Sequence, residues 1–181
     1  IDALERVLFD PDVRSVCTMD ADFSHSPQFL SQMFREIGSG VDVVVGSRYV
    51  KGGGIKGWPL SRRLLSRCAN LYGQIFFHLP VRDCTSGFMC INASLLRKIN
   101  LEEISASGFA FLIELKYSLW KRGASFKEVP IIVENRKEGQ SKITIGIILE
   151  GVSTSWRLIK KDYSKKIRNL KSLVKDVFKK R

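Results

Sequence analysis

Two aspartates, Asp20 and Asp22, stand one residue apart and directly follow the mostly apolar run of residues 13–19. Such a run predicts a short buried strand, so both carboxylates are expected where that strand ends. Carboxylates at positions i and i+2 can converge on one divalent cation, and their hard oxygens suit Mg²⁺ or Mn²⁺. A metal held there would neutralise a leaving diphosphate. The same pattern is equally typical of solvated turn aspartates or of a helix-capping cluster.

A second group of candidate residues is basic. Arg48 follows the next predicted strand, Arg62 and Arg63 open the helix after it, and Ser66 lies one turn beyond Arg62. Arginines that meet at the rim of an open α/β sheet, where such sheets bind their ligands, predict a phosphate-binding site. A solvated basic helix face is the competing interpretation.

Three further residues are candidates for the same edge. Asp83 precedes the turn-like sequence of residues 85–88, as a carboxylate of a site or as an ordinary turn-forming Asp. Arg136 and Lys142 lie in the polar loop 135–142, whose composition suits a flexible segment that closes over an anionic substrate. A surface linker with ordinary charges explains that loop equally well.

The glycine-rich residues 51–54 lack the G-K-[ST] ending of a phosphate loop. They are predicted to begin a mobile segment over a site, running to Trp58. His25 has no Ser or Cys nucleophile motif beside it, so it is expected at most to orient the Asp20–Asp22 turn.

The elements that must position these residues have an α/β pattern. Ser26-Pro27 predicts a capped helix start, and residues 41–46 predict a second buried strand. Strand, helix and strand in this order form a βαβ unit, so a parallel sheet is expected at this point. The remaining predicted elements are helices over residues 60–79, 109–122 and 143–160, a turn and short strand over 83–92, and a strand over 126–134 in which Pro130 indicates an edge or bulge.

Composition bounds the class of protein. The 181 residues are 44% hydrophobic, enough for a buried core, and carry a net charge of +12. Eleven of the 30 Lys and Arg residues lie between Arg157 and Arg181, so the charge belongs to the tail. The four cysteines lack C-x-x-C spacing, which argues against a zinc module and for reduced thiols. Neither a signal peptide nor a membrane-spanning run is expected.

Together, six stretches resemble the catalytic domain of dolichol-phosphate (polyprenol-phosphate) mannosyltransferases, which belong to glycosyltransferase family 2. The resemblance implies an α/β fold of the GT-A type (Rossmann-like), with a mixed, mostly parallel sheet flanked by helices. The family's opening strand and loop, V-[IV]-[IV]-P-T-[YF]-N-E, has no counterpart, so the fold is expected to be N-terminally incomplete. The stretches are MDADFSH (19–25), VGSRYVKGGGIKGW (45–58), LSRRLLSRCAN (60–70), DCTSGF (83–88), GFAFLIE (108–114) and EVPIIVENRKEGQSK (128–142).

This resemblance implies transfer of mannose from GDP-mannose to a dolichyl or other polyprenyl phosphate, with inversion at the sugar carbon. Asp20 and Asp22 would then belong to the metal and diphosphate site. Ser24 stands where some relatives have a metal-ligating Gln, which leaves that ligand open. Asp83 would be an organising carboxylate of the catalytic site.

The resemblance also implies anion-binding roles for the basic residues. Arg48, Arg62 and Ser66 would hold the acceptor phosphate. Arg136 and Lys142 would act from the mobile loop on the phosphates of donor or acceptor.

Two regions are expected: residues 1–142, the C-terminal part of a GT-A catalytic domain, and residues 143–181, C-terminal helices with a basic amphipathic tail. Residues 164–180 could lie on anionic lipid, which predicts a peripheral enzyme on the cytoplasmic face of a membrane. One alternative is a family-2 relative that uses another nucleotide sugar, such as UDP-glucose, with the same lipid. The other is a non-catalytic basic module that binds membranes or nucleic acid, although no nucleic-acid recognition motif is present.

Overall fold

The computed structural model describes residues 2–134 except 23, 105 and 107. The chain divides into two units, Ile1–Lys142 and Ile143–Arg181, and the second lies outside the described residues. The predicted helices beyond residue 143 and the basic tail therefore stay predictions. The helices are α1 (Asp2–Leu8), α2 (Leu30–Gly38), α3 (Leu60–Phe77), α4 (Ala93–Leu96) and α5 (Gly108–Trp120), with 3₁₀ turns at Pro27–Phe29 and Leu101–Glu103. The strands are β1 (Ser15–Thr18), β2 (Val43–Ser47), β3 (Gly54–Ile55), β4 (Met89–Asn92), β5 (Phe126–Pro130) and β6 (Ile132–Val133).

The main sheet has the strand order β1-β4-β2-β5. β4 pairs antiparallel with both β1 and β2, whereas β2 pairs parallel with β5. Three of its strands therefore share one direction and β4 opposes them, which confirms the mixed, mostly parallel sheet. The parallel sheet expected at the first βαβ unit is correct for strand direction, since β1 and β2 both oppose β4, but β4 lies between them and both pairings there are antiparallel.

The carboxyl ends of β2 and β5 lead into a small second sheet. β5 lies at an edge of the main sheet, and Pro130 is its last residue, in agreement with the edge that this proline indicated. β6 then pairs parallel with β3. The Gly54 and Lys56 amides donate to the carbonyls of Ile131 and Val133 at 3.0 and 2.9 Å. These hydrogen bonds tie down the segment that was predicted to be mobile.

The core forms around β2, which is buried along its whole length. Met33 of α2 packs on Val44 of β2 and on Phe88 in one buried cluster. The start of the α2 region differs from the prediction in detail. Ser26 has an extended backbone at the cap position, but its side chain makes no capping hydrogen bond.

Helix α3 presents an unexpected face to solvent. Its buried residues are Asn70, Gly73 and Phe77. Several of its large apolar side chains are instead exposed: Leu60, Leu64, Leu71, Ile75 and Phe76. The helix ends where His78 adopts a left-handed conformation with φ of 50°, two residues before Pro80. Across the described residues, none of the helices combines the length and apolar character needed to cross a membrane.

Candidate active site

The Asp20–Asp22 turn follows the end of β1, as predicted. The Thr18 hydroxyl donates a 2.6 Å hydrogen bond to the Gly87 carbonyl, which fixes the strand end beside the 83–88 segment. The Asp20 side chain is 53% exposed, so its carboxylate is open to a ligand. Asp22 Oδ1 accepts a 3.0 Å hydrogen bond from the Ser24 amide and closes a tight turn.

His25 packs against the Asp20–Asp22 turn. Its Nδ1 accepts a hydrogen bond of 3.3 Å from the Asp20 amide, and its ring stacks on Phe88 with centroids 5.0 Å apart. Burial lowers the pKa of His25 below its usual value, although the nearby carboxylates of Asp20 and Asp22 oppose the shift. A neutral imidazole is the form that can accept this hydrogen bond. His25 therefore orients the turn, as the sequence suggested.

The strongest interaction of the site joins Arg48 to Asp83. Asp83 is fully buried and receives Arg48 Nε at 2.8 Å, Nη2 at 2.6 Å and the Arg48 backbone amide at 2.9 Å. Arg48 Nη2 also donates to the Thr85 hydroxyl at 2.8 Å. Burial alone would lower the pKa of Arg48, but its hydrogen bonds to Asp83 and the charge of that carboxylate outweigh burial and raise it. A bidentate pair of this kind fixes the plane of the guanidinium group.

Trp58 brings the second arginine to the same place. The Arg62 guanidinium lies 3.7 Å from the centroid of the Trp58 ring, and the Arg48 guanidinium lies 5.3 Å from it. Both distances are within the range of cation–π attraction. Next to them, the Tyr49 hydroxyl donates to Ser66 Oγ at 2.7 Å. The structure therefore gathers the three residues predicted to bind the acceptor at two aromatic rings: both arginines lie on Trp58, and Arg48 and Ser66 contact Tyr49.

The aspartate turn and the arginine cluster meet at one site. The segment 83–88 contacts both. Its Asp83 and Thr85 bind Arg48, and a Cβ atom placed on Gly87 would lie 3.7 Å from Asp20 Oδ1. The pKa of His25 also responds to charges from both sides: Asp20, Asp22, Arg48 and Asp83. The last two predicted site residues, Arg136 and Lys142, lie outside the described residues. Their predicted roles stay predictions.

Several supporting residues of the site were not assigned a role from sequence. Glu128 accepts the backbone amides of Arg82 and Asp83 at 2.9 and 3.0 Å, and Asn70 Oδ1 accepts the Thr85 amide at 3.0 Å. Lys116 of α5 is fully buried beneath the same segment. The available signal for Lys116 was a charged residue, close to Glu114, within a mostly apolar helix. Nothing in spacing alone marked Asn70 or Glu128.

The predicted metal ligands fit an ion that is shared with a substrate. Within residues 2–134, apart from the undescribed positions, no three His, Cys, Asp or Glu side chains cluster closely enough to hold a metal. Mg²⁺ commonly takes one or two carboxylates and completes its shell with water and substrate phosphate oxygens. An exposed Asp20 beside Asp22 suits that kind of site. A closed, all-protein metal site is not what these residues form.

Comparisons with known proteins define the class. Residues 12–100 match the family model described as glycosyl transferase family 2. The crystal structure of glucosyl-3-phosphoglycerate synthase from Mycobacterium tuberculosis, in complex with Mn²⁺ and UDP-glucose, superposes with a TM-score of 0.55 at 18% identity. That likeness covers 87% of this chain and 51% of the other. The chain therefore belongs to glycosyltransferase family 2 and has a fold of the GT-A kind.

Within that family, the curated relatives that the chain matches have names that refer to polyprenyl lipids. The chain is 37% identical over 134 residues to polyprenol monophosphomannose synthase of Mycolicibacterium smegmatis, covering 74% of this chain and 51% of that protein. It is 37% identical over 142 residues to undecaprenyl-phosphate mannosyltransferase of Micrococcus luteus, covering 77% and 58%. It is 35% identical over 150 residues to dolichol-phosphate mannosyltransferase of Pyrococcus furiosus, covering 78% and 40%. The resemblance is confirmed, and the chain spans about half the length of these relatives.

Proposed function

We propose that this chain supplies the acceptor side of an enzyme that transfers mannose from GDP-mannose to a polyprenyl phosphate, such as dolichyl phosphate. The names of the relatives support this function. The main structural support is the cluster of Arg48, Arg62 and Ser66 on the rings of Trp58 and Tyr49, near the carboxylates of Asp20 and Asp22. An oxygen of the acceptor phosphate attacks C1 of mannose, and the bond from C1 to the GDP oxygen breaks. One such displacement inverts the sugar carbon.

The aspartate turn serves the donor in this proposal. Asp20 and Asp22 would hold Mg²⁺ or Mn²⁺, which neutralises charge on the leaving diphosphate. The hydrogen bond from the Asp20 amide to His25 and the Ser24 amide on Asp22 fix the turn before substrate arrives. Prepositioned carboxylates of this kind avoid a reorganisation step during reaction.

The arginine cluster serves the acceptor. A phosphate is already anionic at neutral pH, so the enzyme has little need of a strong base and must instead hold two mutually repelling anions together. Asp83 is occupied by Arg48 and acts as an organising carboxylate. Asp83 and Thr85 engage Nε and Nη2 of Arg48, which leaves Nη1 for an acceptor oxygen. Arg62 and Ser66 would complete the phosphate site.

A lipid acceptor places the reaction at a membrane surface. We propose peripheral attachment on the cytoplasmic face, through the basic residues 164–180. The exposed apolar side chains of α3 support a lipid-facing role for that helix too. Leu64 is 62% exposed and Leu71 is 55% exposed, and Arg67 between them is also exposed. Apolar groups beside cationic ones suit the interface of anionic lipids.

Exchange of one arginine tests the acceptor site. In the full-length protein, Arg62→Ala should raise the KM for polyprenyl phosphate and leave the dissociation constant for GDP-mannose nearly unchanged. Arg63→Ala is the matched control, because Arg63 donates instead to the Ile55 carbonyl at 3.0 Å. Initial rates and donor titration measure the two constants. Loss of donor binding alone in Arg62→Ala would contradict the assignment.

The two alternatives predict other outcomes. A relative that uses another sugar would transfer from UDP-glucose as well as or better than from GDP-mannose. A non-catalytic basic module would bind vesicles or nucleic acid without transfer, and would lose that binding when residues 164–181 are deleted.

A further inference from the structure

Lys116 is a buried charge that the proposed chemistry does not use. It lies in the middle of α5 with no exposed surface, among side chains such as Leu115 and Leu119 that are equally buried. An unpaired ammonium group in such a position is strongly unfavourable. A Leu or Met side chain would fill the space without that penalty. The retained amine therefore calls for a role beyond packing.

The amine makes two hydrogen bonds to one short segment. Lys116 Nζ donates to the Cys84 carbonyl at 3.1 Å and to the Ser86 carbonyl at 2.7 Å. These two residues alternate with Asp83 and Thr85, whose side chains bind Arg48. The segment 83–86 thus lies between Lys116 and Arg48.

Apart from Arg48, three other residues distant in the chain each bond one residue of this segment. The Asp83 amide donates to Glu128, and the Ser86 hydroxyl donates to the Gly46 carbonyl at 2.6 Å. Asn70 accepts the Thr85 amide. Lys116 alone among these partners bonds two of the segment's residues at once.

We propose that Lys116 is a positioning residue, which fixes the segment 83–86 and thereby holds Asp83 and Thr85 where they orient the Arg48 guanidinium. For catalysis this inference rests on the proposed function, since Arg48 is there the acceptor-binding residue. The hydrogen-bonded arrangement itself is independent of any activity. A protonated or a neutral amine has enough N–H groups for both carbonyls, so the arrangement holds in either state.

Hydrogen exchange in the full-length protein tests the arrangement directly. Lys116→Met keeps an unbranched apolar chain and removes both donors. Backbone amides of Arg48, Asp83 and Thr85 should exchange faster in this variant. Each of their hydrogen bonds joins the segment to a neighbour: the Arg48 amide donates to Asp83, and the Asp83 and Thr85 amides donate to Glu128 and Asn70. Leu96→Ala is the control. Leu96 is fully buried in α4, so its truncation should destabilise the core away from the 83–86 segment. Mass spectrometry of peptides over residues 46–50 and 82–88 reports the rates.

A double-mutant cycle tests the action through Arg48. Lys116→Met should lower kcat/KM for polyprenyl phosphate by about 10–100-fold, as expected for residues that orient a functional side chain. In an Arg48→Gln background it should cause no further loss, because the residue it positions is gone. Full additive loss in that background would mean that Lys116 acts by general stability, and would overturn the proposal.

The hydrogen-exchange experiment tests the positioning role of Lys116 even if no mannose transfer is found. Unchanged exchange in both peptides, or equal acceleration in Leu96→Ala, would overturn the positioning role. Selective acceleration in an inactive protein would sink the proposed function and leave the arrangement supported. If Lys116→Met does not fold, Lys116→Gln retains a shorter donor, and the same comparison of peptides applies to it.

Discussion

At the scale of single residues, the Arg48–Asp83 pair dominates the site because both partners are withdrawn from water. Their side chains are 9% and 0% exposed. The Lys56–Glu134 pair provides a contrast, with side chains 64% and 60% exposed and 3.3 Å between the charged atoms. Buried pairs depend on each partner far more than exposed ones, since removal of one leaves an uncompensated charge in the interior.

Stability should therefore respond unequally to loss of a carboxylate. Asp83→Ala is expected to lower the free energy of unfolding by about 3–5 kcal/mol, because Arg48 is left buried without its counter-charge. Glu134→Ala should change it by less than about 1 kcal/mol. Denaturant unfolding of both variants beside the parent protein gives the two values. Equal effects would contradict the assignment of Asp83 as the organising carboxylate.

The same scale includes a pH dependence from Lys116. Burial lowers the pKa of Lys116 from 10.5 to about 8, although the nearby carboxylates of Asp83 and Glu128 oppose this. Between these values the unfolded chain holds the proton and the folded chain releases it. The contribution of Lys116 to stability therefore rises from pH 8 to 10.5, by up to about 3 kcal/mol.

The measurement is the difference in unfolding free energy between the parent protein and Lys116→Met at several pH values. That difference should grow in favour of the parent above pH 8. A flat difference across the range would show that the amine titrates near its usual pKa.

At the scale of elements, α3 has two tasks on opposite sides. One side carries Arg62 and Ser66 to the site and packs against the 83–86 segment. A Cβ atom at Gly73 would lie 2.8 Å from Cys84 Cβ, so glycine is what lets the helix approach this closely. The other side exposes Leu64 and Leu71. The spacing of apolar residues predicted helix α3, but it did not indicate which face of the helix is buried.

Two helical glycines should consequently respond in opposite directions to alanine. Gly73→Ala is expected to lower the free energy of unfolding by about 1–3 kcal/mol through overpacking against Cys84. Gly38→Ala should raise it by about 0.4–1 kcal/mol, because nothing lies within 4 Å of an added Cβ and φ is not positive there. Thermal and denaturant unfolding provide both numbers. A neutral Gly73→Ala would mean that α3 can move away from the segment without penalty.

At the scale of the whole molecule, most elements could be predicted from the sequence, and several of the candidate site residues lie together in the structure. Apolar runs gave β1 and β2, and the motifs brought Asp20, Arg48 and Asp83 to one sheet edge. The position of β4 between β1 and β2 could not be predicted, because it depends on pairing between residues distant in the chain. The roles of Glu128 and Lys116 were missed for a similar reason. Their partners are backbone groups, which leave no mark on side-chain spacing.

The chain spans about half the length of its mannosyltransferase relatives, so the proposed mannose transfer is to be tested with the natural full-length protein. The most direct measurement is a transfer assay. The full-length protein is incubated with labelled GDP-mannose, Mg²⁺ or Mn²⁺ and dolichyl phosphate, and the label extracted into organic solvent is counted. We expect label in the lipid phase that disappears with a chelator and exceeds the transfer from UDP-glucose. Equal or greater transfer from UDP-glucose, or no label from GDP-mannose, would contradict it.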